Sequence, residues 1–351
     1  MHIPDGYLSP STCAIAYAAA APFWYVALQK VKRQLHTRFL PLISVFSAFS
    51  FVIMMFNLPL PGGTTGHATG VGLAAVVLGP WAGMLAISVA LVIQAVFFGD
   101  GGVTAIGANC FNIAIVGSLV ASLVYRLVAG ASATGSSRRL LAAGLAGYAG
   151  INAAALITAI EFGLQPLLFH DAAGTPLYAP YSLSIAIPAM MIGHLTFAGF
   201  AEFFVSAGVV SYLQRTDPGL LAREAPSAET RGATASLRKL WAGMALLMIL
   251  TPLGLLAVGS AWGEWAPEEF ADPASRRSIA AVSQGQVPAA APVGLTRLSS
   301  VWTAPIPDYA PPILKSPAFG YVLSAMAGCG LIILCSLAAG LAGKRNARLN
   351  V

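Results

Sequence analysis

The sequence predicts an all-α membrane protein with seven helical spans followed by two more near the C-terminus. Of its 351 residues, 57% are hydrophobic and 9% are charged, whereas a soluble domain carries roughly 25% charged residues. Long runs without a charge alternate with short clusters of Lys and Arg, as in proteins that cross a membrane repeatedly. A soluble fold of this composition would be unable to cover its apolar surface.

Nine candidate spans follow when the sequence is divided at charges, turns and Gly/Pro clusters, because a spanning helix needs about 20 apolar residues. They lie near 11–29, 39–57, 68–79, 80–98, 108–128, 140–164, 181–213, 239–258 and 318–342. The third is short, and its join to the fourth, 78–80, carries no charge. These two helices could therefore be mistaken for one bent helix.

The basic residues predict the orientation of the chain. Fifteen of the 19 lie in segments that would share one side of the membrane. The other side holds four, all in one loop: Arg276, Arg277, Arg297 and Lys315. Because basic residues accumulate on the cytoplasmic side, we expect the N-terminus outside and the C-terminus in the cytoplasm, which an odd number of spans allows. The net charge of +6 is then a mark of topology rather than of nucleic-acid binding.

Composition also divides the chain into three parts. Residues 1–213 form a seven-span core, and 214–238 have the polar, proline-containing composition of a cytoplasmic linker. Residues 239–351 form a two-span part with an outside loop, 259–317. That loop has too few apolar residues for a substantial core of its own, so we expect its tryptophans at the membrane interface or against the other helices.

The first seven residues, Met-His-Ile-Pro-Asp-Gly-Tyr, are unusual for an exposed tail. No Lys or Arg and no apolar run occurs in residues 1–10, so we expect no signal peptide and a mature start at Met1. The Pro-Asp-Gly sequence favours a turn that would fold Met1 and His2 back toward the helices.

A free N-terminus followed by histidine can chelate a metal. The Met1 amine, the His2 amide nitrogen and Nδ1 of the His2 ring can close fused chelate rings and supply three nitrogens in one plane. Divalent metals that displace an amide proton, Ni²⁺ and Cu²⁺ above all, prefer this tetragonal arrangement. The simpler alternative is that His2 is an exposed residue without a ligand.

A fourth nitrogen is required, and His67 is the candidate. It lies in a glycine-rich, uncharged loop, 61–70, on the same predicted side as Met1. Glycines there allow tight turns and close backbone approach, although a loop histidine also serves commonly as a hydrogen-bonding group. Three further residues are candidates to orient the imidazoles: Thr64, Thr65 and Asn109.

Ionisable residues within the spans are few, and each is a functional candidate because its burial is costly. They are Glu161, His194 and Glu202. The last two are separated by about 12 Å along one helix at about 1.5 Å per residue, so we do not expect them to share an ion. The sequence has no phosphate-binding loop and no common hydrolase motif. A membrane enzyme using these residues stays an alternative, as does a metal sensor or scaffold without transport.

Two motifs carry a resemblance to a known family. Residues 1–10, Met-His-Ile-Pro-Asp-Gly-Tyr-Leu-Ser-Pro, and 66–70, Gly-His-Ala-Thr-Gly, resemble the substrate-binding membrane subunit of nickel/cobalt energy-coupling-factor transporters. The similarity extends over the first seven spans. Residues 261–265 and 307–311 are similar to the small two-span accessory subunit of those transporters, fused here to the same chain.

The resemblance implies a function and a set of partners. In that family Met1, His2 and His67 would supply four nitrogens to a square-planar site for Ni²⁺ or Co²⁺, with Ni²⁺ favoured. The metal-binding subunit works in the cell inner membrane with a separate transmembrane coupling subunit and two cytoplasmic ATPases. The missing phosphate-binding loop agrees with ATP hydrolysis by other chains, so the resemblance implies a transporter subunit rather than an enzyme.

Overall fold

The computed structural model describes residues 1–32, 39–60, 64–221, 230–257, 259–311 and 313–349. Residues 61–63 of the predicted His67 loop and 222–229 of the predicted linker lie outside them. The α-helices are α1 (Pro10–Lys32), α2 (Phe39–Met54), α3 (Val71–Leu78), α4 (Pro80–Ile93), α5 (Ile106–Asn109), α6 (Gly117–Ala129), α7 (Ser137–Leu168), α8 (Leu183–Gly193), α9 (Gly199–Thr216), α10 (Thr230–Leu250), α11 (Pro273–Val282), α12 (Val293–Leu298) and α13 (Pro317–Leu349).

π-helical segments, short 3-10 helices and two strands are the remaining secondary structure of the described residues. Three π-helical segments continue α-helices without a break: Gln94–Phe98, Cys110–Val116 and His194–Ala198. Short 3-10 helices occur at Pro218–Leu220, Thr251–Leu256, Pro267–Phe270 and Pro307–Tyr309. Two strands, β1 (Leu58–Leu60) and β2 (Thr64–Gly66), pair antiparallel with Pro59 opposite Thr65.

Seven helices among the described residues are long and apolar enough to cross a membrane, and each overlaps a predicted span. They are Pro10–Lys32, Pro80–Phe98, Ile106–Ala129, Ser137–Leu168, Leu183–Thr216, Arg238–Leu256 and Pro317–Leu341. All seven have the length and apolar composition of a membrane span. The break predicted before the fourth span is confirmed, because Gly79 has a φ of 80° and Pro80 begins α4.

The second and third predicted spans are shorter than expected. α2 has 16 residues and ends at Met54, because the chain then enters the hairpin of β1 and β2. The prediction of a helix over 68–79 is wrong at its start, since α3 begins only after Gly70, whose φ is 73°. Its eight residues rise about 12 Å, less than half of the roughly 30 Å hydrocarbon core.

Glycines bring α3, α7 and α9 together at backbone distance. A Cβ added to Gly72 of α3 would lie 2.2 Å from the Cα of Gly147 in α7, and a Cβ on Gly147 would lie 2.9 Å from the carbonyl oxygen of Glu202 in α9. Membrane helices approach this closely where small residues face each other. The contact places the Glu202 side chain beside the start of α3.

The loop 259–317 is more ordered than its composition suggested. It contains α11, α12 and two of the 3-10 helices, and Phe270, Ile279 and Leu295 are buried within it. The Trp262 ring packs against Phe162 of α7, with ring centroids 6.2 Å apart. The loop therefore has buried residues of its own and also packs against the seven-span part. The packing of Trp262 on the helices was expected, whereas the buried residues within the loop were not.

Candidate metal centre

The first residues of the chain are buried rather than free in solvent. Met1 is 4% exposed, His2 1% and Ile3 0%. The turn that folds them inward has a Gly6 φ of 88°, and Asp5 accepts hydrogen bonds from the amides of a neighbouring loop, Val103 (3.0 Å) and Thr104 (2.7 Å). The Pro-Asp-Gly turn therefore folds the N-terminus back as expected, and its carboxylate anchors it to that loop.

Asn109 holds the backbone directly after His2. Its side-chain oxygen accepts the Ile3 N–H at 2.8 Å, and its amide nitrogen donates to the Ile3 carbonyl at 3.1 Å. The same carbonyl also accepts the Gly102 N–H at 2.8 Å. Asn109 thus positions the peptide next to His2, and the two hydrogen bonds of its side chain go to the Ile3 backbone rather than to an imidazole ring.

The nitrogens of His2 are buried without aligned hydrogen bonds. Ring atom Nδ1 lies 2.6 Å from Asp100 Oδ1, yet neither ring nitrogen makes a hydrogen bond of regular geometry. Among the described residues, no hydrogen-bond acceptor faces the His2 amide N–H either. Buried polar groups are rarely left without a partner. Nε2 and the amide N–H of His2 have none, and Nδ1 has only its close contact with Asp100.

His67 lies beside His2 with one ring nitrogen free. The two ring centroids are 5.1 Å apart and the rings are inclined by 28°. His67 Nδ1 is 3.1 Å from the Ala68 carbonyl; because a carbonyl only accepts, the proton is on Nδ1 and the lone pair is on Nε2. Burial, together with the nearby His2 and the N-terminal amine, lowers the pKa of His67 to about 3. The ring is therefore neutral at physiological pH.

Two carboxylates that the sequence did not point to face these nitrogens. Glu264 of the loop 259–317 accepts a hydrogen bond from the Met1 amine, and Asp100 lies against His2. Burial acts to raise the pKa of Asp100, but His2, His67 and the Tyr309 hydroxyl outweigh it and hold that pKa well below its usual range. The site therefore combines nitrogen atoms with negative charge, which favours a cation.

Asp100 is itself held by groups from two parts of the chain. The Tyr309 hydroxyl donates to Asp100 Oδ2 at 2.5 Å, and Gln94 Nε2 donates to the same oxygen at 3.2 Å. Gln94 also donates to the Tyr309 hydroxyl at 2.9 Å. Since Glu264 and Tyr309 lie in the two motifs 261–265 and 307–311, those motifs were the sequence signal for both residues.

Thr64 and Thr65 bind the loop 259–317 rather than an imidazole. The Thr64 hydroxyl donates to the Ser260 carbonyl at 3.0 Å, and the Thr65 hydroxyl is 3.5 Å from the Gly259 carbonyl. Both threonines are largely buried. In this structure they connect the hairpin of β1 and β2 to the loop, so their predicted role in orienting the rings has no contact to support it.

Glu202 supports the segment that follows His67. Its carboxylate accepts the backbone N–H groups of Thr69 (2.7 Å), Gly70 (3.0 Å) and Gly72 (3.1 Å), and the Thr69 hydroxyl lies 3.3 Å away. This carboxylate is fully buried at the N-terminus of α3. Glu202 is therefore a structural partner of the His67 segment, and this contact was not predicted.

The other two intramembrane residues make their own hydrogen bonds and none to these nitrogens. Glu161 accepts a hydrogen bond from Asn112 Nδ2 at 2.6 Å. His194 Nδ1 donates to the Met190 carbonyl at 2.8 Å. Within the described residues no group of three or more His, Cys, Asp or Glu side chains has the arrangement of a metal site.

The helices and this buried cluster of nitrogens and carboxylates define a polytopic membrane protein with a candidate cation site. Residues 2–220 match the family described as the cobalt uptake substrate-specific transmembrane region. Because the match covers more than half of the chain, the chain belongs to that family of transport proteins.

Relatives match along almost the whole chain. A fused nickel transport protein, NikMN, of Rhodobacter capsulatus is 59% identical over 344 residues, covering 97% of this chain and 98% of the relative. A probable fused nickel transport protein, LarMN, of Lactiplantibacillus plantarum is 41% identical over 338 residues, covering 95% and 96%. A cobalt transport protein, CbiM, of Geobacter sulfurreducens is 31% identical and covers 72% of each chain.

The fold is also found in solved structures. A crystal structure described as a truncated transition metal transporter is 52% identical and has a TM-score of 0.58. It covers 61% of this chain and 99% of the matched chain. The structural similarity therefore covers about three fifths of this chain.

Proposed function

We propose that this chain is the substrate-specific component of an ATP-driven energy-coupling-factor transporter that takes up Ni²⁺, or Co²⁺, from outside the cell. Membership of the cobalt uptake family and the fused nickel transport relatives support this proposal. The single observation that carries it is the buried His2, whose amide and ring nitrogens lack aligned hydrogen bonds beside a neutral His67.

In the proposed site, four nitrogens bind the metal in a square plane. They are the Met1 amine, the His2 amide nitrogen, His2 Nδ1 and His67 Nε2. Ni²⁺ is favoured over Co²⁺ because a planar set of four nitrogens suits it better. Metal binding requires the Met1 ammonium and the His2 amide each to release a proton to solvent. The amine then leaves Glu264 and the His2 ring leaves Asp100, and the two carboxylates neutralise charge near the cation.

ATP hydrolysis is assigned to other subunits. We propose that a transmembrane coupling subunit and two cytoplasmic ATPases complete the transporter, since this sequence has no phosphate-binding loop. The chain would lie in the inner membrane with Met1 outside and its C-terminus inside. Residues 1–213 would bind the metal, 214–238 would link the parts in the cytoplasm, and 239–351 would add two spans.

The proposed role of the loop 259–317 is to cover the bound metal from outside. Its Glu264 reaches the Met1 amine, its Tyr309 reaches Asp100, and its residues 259–260 accept hydrogen bonds from Thr65 and Thr64. These contacts support a lid that is joined to the site at three points.

The amine ligand is tested by adding a single residue before Met1. We expect the extended protein to lose the tight Ni²⁺ binding that depends on His67 in calorimetric titration, because the Met1 amine becomes an amide and the added residue has no room at the buried N-terminus. The variants His2→Ala and His67→Ala should lose it as well, whereas His170→Ala, which changes an exposed histidine, should bind as the wild type does.

Two measurements keep this test decisive. Mass spectrometry of the intact chain verifies that the unmodified protein begins at Met1, and titration with Co²⁺ measures the metal preference. An extended protein that binds Ni²⁺ with wild-type affinity and still requires His67 would exclude the amine as a ligand. Binding that no longer requires His67 would instead come from the new terminus, whose amine, two amide nitrogens and His ring can supply four nitrogens. Uptake by cells with and without the ATPases and coupling subunit separates a transporter from a metal sensor.

A further inference from the structure

A cavity of about 340 Å³ adjoins the Met1 side of the candidate metal centre. It lies between the hairpin of β1 and β2, the α8 end with the following π-helical turn, and the loop 259–317. Met1, Thr64, Thr65, Met190, His194 and Trp262 are among the residues that line it. Its walls are mostly apolar, so the few polar groups among them decide what it can bind.

His194 lines this cavity and has one ring nitrogen, Nε2, without a hydrogen-bond partner among the described residues. Its side chain is 6% exposed, and Nδ1 donates to the Met190 carbonyl at 2.8 Å. Because that carbonyl only accepts, the ring carries its proton on Nδ1 and a lone pair on Nε2. Among the residues that the structure describes, no group donates to Nε2.

The local backbone supports a binding role for this ring. His194 is the first residue of a π-helical segment, His194–Ala198, and single π-helical turns inside α-helices occur frequently at functional sites. A histidine buried only for packing would have side chains against both ring edges. His194 instead lines a cavity that extends to Met1, with a lone pair of the kind that divalent transition metals prefer.

We propose that this cavity is the route by which the metal reaches the four-nitrogen site, and that His194 Nε2 is a transfer ligand on that route. The ligand class is a hydrated divalent transition-metal ion, Ni²⁺ or Co²⁺. A single imidazole holds such an ion weakly, with water in its other positions. The chelating N-terminus then takes the ion, and the Glu264 carboxylate lies at that end of the route. This inference depends on the proposed function.

A transfer ligand changes the rate of binding but not its equilibrium. In His194→Asn, the asparagine amide keeps a donor for the Met190 carbonyl and removes Nε2. We expect association of Ni²⁺, followed by stopped-flow tryptophan fluorescence, to slow about tenfold. Dissociation into an excess of chelator should slow by the same factor, so the affinity stays constant.

His170→Asn is the matched control. His170 is exposed, and its Nδ1 also donates to a backbone carbonyl, that of Asp171, at 3.0 Å. Its rates should equal those of the wild type. Unchanged rates in His194→Asn would overturn the proposal. A loss of affinity together with a lower melting temperature would also overturn it, because that result is expected when a histidine only stabilises the fold.

A second experiment examines binding at His194 itself. In the double variant His2→Ala/His67→Ala, calorimetric titration with Ni²⁺ should retain one weak site, which the further change His194→Asn should remove. Absence of that weak site would overturn the proposal that His194 is a transfer ligand. Loss of tight binding in the double variant would still support the proposed function. If the wild-type chain binds neither Ni²⁺ nor Co²⁺, the proposed function fails first and the inference fails with it.

Discussion

Glu202 shows how a buried charge can be satisfied by backbone alone. Burying a carboxylate is costly unless hydrogen bonds replace its water, and here the backbone N–H groups of Thr69, Gly70 and Gly72 do so. These amides lie at the N-terminus of α3, where a helix favours negative charge. The consequence is that α9 determines the position of the chain two residues after His67.

We predict that Glu202→Gln weakens both the fold and the metal site. The new side-chain NH₂ group would face backbone N–H groups, and a hydrogen bond to a charged group contributes about 1.5–3 kcal/mol. Thermal unfolding should show a loss of stability of that size, and Ni²⁺ affinity should fall about tenfold as the His67 segment shifts.

Glu161→Gln is the control for loss of intramembrane charge. Glu161 accepts from the Asn112 side chain, and the glutamine oxygen can still accept that hydrogen bond. The variant should bind Ni²⁺ as the wild type does. Wild-type affinity in Glu202→Gln would show that Glu202 does not position the site.

Asp100 connects His2 to the second half of the chain through the Tyr309 hydroxyl. That hydrogen bond measures 2.5 Å, and short bonds to ionised carboxylates are the stronger kind. Both Asp308 and Tyr309 have positive φ values, 53° and 58°, which non-glycine residues adopt only when their surroundings hold them. The backbone strain indicates that this placement of Tyr309 is imposed by its contacts.

A double-mutant cycle should measure this connection. We expect Tyr309→Phe and Asp100→Asn each to destabilise the metal-free protein, and the two effects to be non-additive by about 1–2 kcal/mol in the free energy of unfolding. Tyr321→Phe, a tyrosine that packs on the Tyr309 ring, is the control and should be additive with Asp100→Asn. Additive effects for Tyr309 and Asp100 would contradict a direct contact.

At the scale of elements, the π-helical segments share a position near the candidate centre. Gln94, which binds Asp100, begins one segment; Asn109, which holds Ile3, directly precedes the second; His194 begins the third. A π-helical turn inserts one residue and frees a carbonyl, and the Leu195 carbonyl accepts the Tyr148 hydroxyl at 2.8 Å. Each inserted residue therefore redirects a helix where a polar side chain must face inward.

Long helices were predictable from the sequence, whereas these local departures were not. A span bounded by charges is recognisable because lipid excludes them. The prediction of the third span was longer than α3 because residues 71–78 are as apolar as a complete span. The prolines and glycines of 59–63 had indicated a turn nearby. The π-helical segments have no compositional signal, since packing and hydrogen bonds decide where a residue is inserted.

At the scale of the molecule, the loop 259–317 and the seven-span part together enclose the candidate centre. Glu264 and Tyr309 reach the candidate centre, and Trp262 and Trp265 are buried against the first part of the chain. The truncated chain that ends after Leu213 retains every proposed nitrogen ligand but loses these contacts. Its metal site would be open to solvent on the side that the loop covers.

We predict that ending the chain after Leu213 speeds the release of Ni²⁺. Without the covering loop, transfer of bound metal to a chelator should be at least about tenfold faster than from the full chain. A protease site placed within 214–238 cuts the chain without removing either part, and this cleaved protein should release metal as slowly as the intact one. Equal release from the truncated and full chains would show that the loop does not retain the metal.

The candidate ligands were found in the sequence because chelation is local, whereas the carboxylates were not. Met1 and His2 are adjacent, so fused chelate rings follow from the first two residues alone. Met1 and Glu264 are 263 positions apart, and no spacing rule connects segments that meet only through folding. The contacts of Thr64 and Thr65 were not predictable for the same reason, since their acceptors lie in the distant loop.

The burial of Met1 also has consequences for how the protein is made. Met1 is 4% exposed and its amine faces Glu264, so neither a purification tag nor an uncleaved formyl group fits there without displacing the N-terminus. The proposed amine ligand requires translation to begin at this codon and the initiator methionine to be retained, which the large neighbouring His2 favours. A shift of one codon in the gene start would therefore remove the proposed site that includes His67, even if the rest of the chain folds and inserts.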